Sequence, residues 1–489
     1  MNARETSPSR WPRLLVEMPG GREEERRYVL DLLLTEWLGF NYDLTPRGAP
    51  RTTIRLASDP QGRSLTLPDV LFSTLAGDWL TGRSMPIRPL LRVNLPAGPT
   101  GENDASVSAA AGWPGTIPVV YGEPTASTRA WDESPAGLAL AVDVFGSAFW
   151  LLTRYEEVVR PERDSHGRFP ARASLAVEEA FVGRPLVDEY VDLLWKAIRL
   201  LWPNLERKVR AFRILLTHDI DQPWAAWGRP MRVVARGIAG DLVRRHDPIL
   251  AVRRVRALVD ARADRVDRDP LSAFEFLMDT SERHGLRSQF YFMAGTDPSA
   301  VEFRYQISDR PFAGILQRIH DRGHNIGLHA GYETYRSEER MAEELAALKD
   351  ACRAGGFEQP TWGVRQHFLR FAYPDTLRIH EAAGFEHDST LGFAEEIGFR
   401  AGTCREYPLF DAIAGRRLRL HERPLVVMDT TLLDYMHVAP TELAGYTRSI
   451  VDICRRHEGD AVLLFHNDRL AGDRPRALYA ELIEDLVRH

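Results

Sequence analysis

A short apolar run, Arg213-Ile-Leu-Leu-Thr217, ends in His218-Asp219-Ile220-Asp221. Residues two apart on a strand face the same way. Asp219 and Asp221 therefore share one space, where like charges repel unless a cation or a proton lies between them. Downstream, Gly323-His324-Asn325-Ile326-Gly327-Leu328-His329 sets two histidines about a glycine-containing strand, and Glu333 follows His329 by four residues. Imidazole nitrogen and carboxylate oxygen are both ordinary zinc ligands, so His329 and Glu333, one helical turn apart, are candidates to share an ion. A third group, Val364-Arg365-Gln366-His367-Phe368-Leu369-Arg370, brings two arginines and a histidine close to a core. An arginine there pairs with a carboxylate as a fork. The fourth is His466, which follows Leu463-Leu464-Phe465 and precedes Asn467-Asp468. Each group alone also has a plain structural explanation: a helix cap before Pro223, a solvated glutamate, an ion pair, a core histidine.

Elements must hold these groups in place. RILLT (213–217), SQFYFMAG (288–295), HNIGLHAG (324–331), GVRQHFLRF (363–371), RPLVVMDTTL (423–432) and AVLLFHND (461–468) read as strands. Amphipathic helical stretches such as PFAGILQRIHDRG and SEERMAEELAALKDACRAGG alternate with them. That alternation implies a parallel sheet or barrel, with polar groups gathered where the strands end, as in the active sites of α/β barrels. Residues 223–285 interrupt the pattern as a mostly helical insertion. From Arg229 to Asp269 it carries 11 Arg against 6 Asp. It reads as a solvated lid, or as a surface that meets anionic lipid or a phosphate-linked sugar carrier.

The N-terminal part has helical patterns at 28–41, 143–157 and 187–202, the last closed by Pro203. Residues 96–116, rich in Gly, Ala, Pro and Ser, read as an exposed loop. We expect a boundary near 205–211, giving a smaller α+β domain over 1–210 and a second over 211–489, as a length of 489 residues requires. With 63 basic and 69 acidic side chains the chain is not a general nucleic-acid binder. Cys352, Cys404 and Cys454 form neither a CxxC motif nor an even disulfide set. The first twenty residues lack an apolar core of signal-peptide length, and no apolar run reaches the roughly 18 residues of a membrane span. A cytoplasmic protein without transmembrane segments, with room for peripheral membrane contact, is the expectation. Gly77 to Ser84 superficially follows a P-loop but has no lysine, and neither GxGxxG nor GxSxG occurs.

In their order along the chain, the four groups resemble the motifs of the polysaccharide deacetylases, the NodB-homology carbohydrate esterases. The aromatic strand SQFYFMAG resembles that family's second strand. The stretches FGSAFWLLTRYEE, HGRFPARASL, HDSTLGFAEEIGFRAGTC and YPLFD resemble a divergent bacterial branch with an N-terminal domain of unknown function. The resemblance implies an α/β fold with a distorted (β/α) barrel of NodB-homology type. It implies an amide hydrolase that uses a divalent metal, zinc by default, to remove N-acetyl groups from a sugar or glycan precursor. Asp219 becomes the general base, Asp221 and His329 metal ligands, Arg365 the group that orients the base, and His466 the catalytic acid. Glu333 stands where the family has its third ligand, a histidine. This is a departure, and His367, His466 or water are the alternatives for that position. Tyr332, His367 and Asn467 are candidates to contact substrate. Asp388 and Arg400 are candidates to shape the pocket, and Asp429 and Tyr435 to position groups around the base. The competing readings are a catalytically inactive glycan-binding protein and a hydrolase of non-sugar C–N bonds.

Overall fold

The computed structural model describes residues 12–48, 50–95, 115–124, 128–263, 265–295 and 305–488. Its first strand, β1 (Arg13–Pro19), buries Leu14, Val16 and Met18 and turns the residues between them outward. That period of two is the mark of a sheet with one covered face. β1 lies between β2 (Asn41–Arg47), parallel to it, and β3 (Arg51–Leu56), antiparallel to it. β4 (Ser64–Pro68) follows β3. A two-stranded ribbon, β5 (Leu91–Asn94) with β6 (Thr116–Val119), stands apart. β7 (Trp131–Ser134) and β8 (Gly137–Leu140) then complete a six-stranded sheet in the order β2-β1-β3-β4-β8-β7. The expected loop at 96–116 falls, except for its last two residues, outside the described residues. The expected helices form at Val144–Leu152 and Leu186–Leu201. Every residue of the first is buried. Phe149 meets Phe410 edge-on, and Leu152 accepts a hydrogen bond from the Tyr407 hydroxyl, so this helix touches the second sheet directly.

That sheet is larger and curls into a half-barrel. β9 (Arg213–Ile220) has β10 (Ser288–Phe292) on one side, and β11 (Asn325–Ala330) and β12 (Gly363–Gln366) continue outward. β13 (His387–Asp388), β14 (Tyr407–Asp411) and β15 (Arg416–Glu422) close that end. On the other side of β9 stand β16 (Leu425–Met428) and β17 (Asp460–Leu464). The order is β14-β15-β13-β12-β11-β10-β9-β17-β16, all neighbours parallel except β14 with β15. Strands of a parallel sheet covered on both faces are buried along their length rather than at alternate positions. β10, β12, β16 and β17 are buried at every position. One apolar core runs without interruption from Leu14 to Leu486.

The insertion after β9 is helical, as expected, at Met231–Val243, Pro248–Ala261 and Phe274–Arg283. Asp247 starts the second of these by accepting from the Leu250 amide, with Pro248 at the first helical position where its missing N–H costs nothing.

Candidate metal centre

Parallel strands end together, so the residues that follow them meet at one edge of the sheet. Asp219 is placed by β9 and is nearly inaccessible. Its carboxylate is held by Arg365 from β12, which donates from Nη1 to Asp219 Oδ1 and to Thr217 Oγ1, both at 2.9 Å. Arg365 is itself fixed on its other edge. Nε donates to the Ser389 carbonyl at 2.9 Å and Nη2 to Ser389 Oγ at 2.8 Å. The Tyr291 ring centre lies 4.6 Å from the guanidinium carbon. Tyr291 lies across Gly327, its register partner, where a Cβ would fall 2.6 Å from the ring. Gly327 thus makes room for the aromatic surface beneath the arginine.

His329 stands beside Arg365 in register on β11. Its Nδ1 lies 3.1 Å from the Arg365 carbonyl oxygen, so this nitrogen carries the proton and Nε2 keeps its lone pair. Nε2 faces Asp221 Oδ1 at 3.2 Å. His367 follows β12, where the backbone turns left-handed at Phe368 (φ 61°) and Leu369 (φ 53°). Such conformations are costly for residues with a Cβ and persist where surrounding contacts enforce them. The turn brings the His367 ring to 5.0 Å from that of His329. One donor atom each from Asp221, His329 and His367 falls within 4.8 Å of the others. His329 Nε2 and Asp221 Oδ1 are buried and close, yet neither makes a hydrogen bond. Two imidazoles and a carboxylate are the donor set of catalytic zinc sites with an open fourth position. The residues present therefore fit a divalent ion.

His466, after β17, completes the edge. Asp429 grips it twice, Oδ1 at 2.6 Å from Nδ1 and Oδ2 accepting from the backbone N–H at 2.8 Å. Nε2 is thereby aimed toward Asp221, 3.9 Å away. Burial opposes a charge on His466, but Asp429, with Asp221 and Asp219 behind it, outweighs burial and pushes its pKa up to about 10. Burial likewise opposes a charge on His329, and Asp219 and Asp221 raise its pKa above the ordinary imidazole value. Burial raises the Asp221 carboxyl, but His329, His367 and His466 together bring it well below the carboxylate range. His218 differs: buried between the Phe465 carbonyl and Ser288 Oγ, it is lowered to about 4 and stays neutral. A cavity of about 350 Å3 lies behind Asp429, lined by Phe465, Tyr479 and Leu482 among others, and the three donors are not on its wall.

Several expected site residues stand elsewhere. Glu333, expected as the third ligand, is not in the donor cluster. The chain after β11 forms a turn rather than a helix, and the half-exposed Glu333 carboxylate faces Arg370 at 3.4 Å. His367, one of the alternatives for that position, is in the cluster. Asn467 is fully buried, and its Nδ2 donates to the Gln222 and Leu271 carbonyls, tying the insertion to the end of β17. Tyr332 bonds to His166 Nδ1 at 3.0 Å and lies under Arg370. Asp388 pairs with His380 at 2.9 Å, and Arg400 pairs with Glu157 at 2.8 Å. Asp429 binds the imidazole and the backbone N–H of His466. Tyr435 Oη is 3.4 Å from Arg168 Nη2.

Sequence reasoning missed Ser389 and Thr217, whose small hydroxyls carry no motif. It also missed the part played by the segment 160–173. Arg168, paired with Asp164 at 2.7 Å, donates to the Phe368 carbonyl at 3.1 Å, next to His367. Arg370 Nε donates back to the His166 carbonyl at 2.8 Å. A polar turn from the N-terminal half thus clamps the strained backbone beside a donor histidine.

Residues 14–203 match the model of a family of unknown function (DUF7033). No curated protein matches the chain. Among solved structures the chain is similar to a protein of Mycobacterium smegmatis assigned as a polysaccharide deacetylase, at 17% identity over 57% of this chain and 85% of that one, with a TM-score of 0.38. A protein of Pseudomonas aeruginosa PAO1 with the same assignment is 14% identical over 57% of this chain and 90% of that one, with a TM-score of 0.33. A CE4-family pseudoenzyme of Bacillus anthracis is 9% identical over 57% of this chain and 61% of that one, with a TM-score of 0.27.

Proposed function

We propose that this protein is a metal-dependent amide hydrolase that removes N-acetyl groups from a sugar or glycan precursor in cell-surface polysaccharide metabolism. Residues 211–489 form its catalytic unit, a distorted (β/α) barrel of NodB-homology type, and residues 1–210 form a domain that braces it. One observation carries the reading: a cluster of three metal-type donors lies between a carboxylate fixed by an arginine and an imidazole fixed by a carboxylate.

Each residue then has a task. Asp221, His329 and His367 hold the ion, zinc by default for this donor set. When bound, the ion lowers the pKa of a water and polarises the amide carbonyl. Asp219 accepts the water's proton on the carboxylate oxygen that Arg365 leaves free. Arg365 keeps that carboxylate pointing inward through the 2.9 Å bond to Oδ1. His466, kept as imidazolium by Asp429, donates its Nε2 proton to the departing nitrogen, so that a neutral amine leaves and acetate remains. The burial of Asp219, His329 and Arg365 keeps bulk water from competing for these protons.

The test is acetate release from N-acetylglucosamine oligomers by the zinc-loaded protein. Turnover in the wild type that is absent in Asp219→Asn supports the reading. Equal acetate release by both proteins contradicts it.

A further inference from the structure

The helical hairpin Met231–Val243 and Pro248–Ala261 turns an apolar stripe to solvent. Met231, Leu242, Ile249, Val252, Val255 and Val259 are between 48% and 64% exposed. In the second helix these residues recur three or four apart and fall on one face. Leu250, Ala251, Arg254 and Ala257 fall on the opposite face and are buried. The stripe is therefore the side left over after the hairpin has packed onto the body.

Its charge is one-sided. Asp241 is neutralised by Arg254 at 2.8 Å and Arg245 at 2.7 Å, Asp260 by Arg265 at 2.6 Å, and Asp247 caps its helix. Arg232, Arg236, Arg244 and Arg256 are exposed, and no described carboxylate lies within ion-pair distance of them. An apolar stripe bordered by arginines is the pattern of a helix lying in the interface of an anionic bilayer. A second copy of the chain would set one arginine cluster against another. Neither helix can cross the membrane, since no described helix is long and apolar enough.

We propose that this hairpin docks the protein on an anionic membrane surface. Residues 222–230 lead from Asp221 into the hairpin, and Arg253 pairs with Asp473 at 2.8 Å, seven residues after His466. The proposal stands on the hairpin alone and holds whatever reaction the cluster performs.

The experiment is co-sedimentation of the full chain with vesicles of phosphatidylcholine, with and without roughly a third phosphatidylglycerol. Wild type and the double variant Ile249→Asp/Val259→Asp are compared after matching thermal midpoints verify that both are folded. We expect wild type to bind anionic vesicles about tenfold better than neutral ones, less so at high salt, and the variant to lose that binding. Absence of wild-type binding to anionic vesicles, or equal binding by the variant, overturns the proposal. So does a wild-type dimer in light scattering that the variant abolishes, which would assign the stripe to a second copy.

Discussion

Nδ1 of His329 lies 3.1 Å from the main-chain carbonyl oxygen of Arg365, while the side chain of Arg365 binds Asp219 at 2.9 Å. One residue of β12 therefore sets the tautomer of a donor imidazole and the direction of a carboxylate. That coupling separates the two roles experimentally. Asp219→Asn keeps the fork's shape and removes the carboxylate proposed as the base. Turnover should fall by about 10²- to 10⁴-fold while metal affinity stays within a few-fold, measured by acetate release and by competition with a zinc chelator.

The His466–Asp429 pair predicts a pH dependence. A histidine raised to about 10 is charged through neutrality, and the pair's contribution to stability is present below the ordinary imidazole pKa and lost as pH rises through about 10. In Asp429→Asn the imidazole should lose its proton at much lower pH. The alkaline limb of the rate profile should move down from near 10 toward 7, with turnover at pH 8 falling more than tenfold. A limb that stays in place would assign it to another group.

Glu157 and Arg400 form a buried pair at 2.8 Å between the N-terminal half and the loop before β14, with Arg154 as a second partner. Removing one member strands the other charge, so Glu157→Ala should destabilise the protein by about 3–5 kcal/mol in urea unfolding at pH 7. Burial works to raise the Glu157 carboxyl, but Arg400 and Arg154 lower it to about 2. A lowered acid contributes stability above its ordinary value of 4.5 that is lost as pH falls through about 2. The gap between wild type and variant should therefore narrow across that window.

Arg168 tests whether the N-terminal half serves the site. Arg168→Ala releases the Phe368 carbonyl next to His367 and frees the left-handed turn to relax. Zinc affinity should drop about 10- to 100-fold, as for other groups that orient a ligand from behind, with a small change in thermal midpoint.

The centre of the larger sheet was legible in the sequence because strands buried on both faces must be continuously apolar and end in polar residues. β10, β11, β12 and β16 fall within the runs read as strands, while β9 continues to Ile220, past the run at 213–217, and β17 begins at Asp460, one residue before its run. The three strands β13 to β15 were not legible. β13 is two residues long, and β15 is a charged edge strand, RRLRLHE, with no apolar run. β1 to β8 were hidden for a related reason: short strands covered on one face, broken by Pro and Gly, give weak patterns. At the candidate site, Asp219, Asp221, His329, Arg365 and His466 were visible because each follows or closes an apolar strand. Glu333 was drawn in by a spacing that assumed a helical turn. The chain turns away there, and His367 from the neighbouring strand takes the space because two left-handed residues redirect the backbone. Backbone turns of that kind leave no trace in side-chain periodicity.

Asp221, His329 and His367 are the proposed ligands of a divalent ion. Elemental analysis of the purified protein, with zinc affinity measured for wild type, Asp221→Ala, His329→Ala, His367→Ala and Glu333→Ala, tests this assignment. Wild type and Glu333→Ala should carry near-stoichiometric metal, and each of the other three should lose about 100-fold or more in affinity. Metal retained by His367→Ala but lost from Glu333→Ala, or no metal binding by the wild type at all, would contradict it.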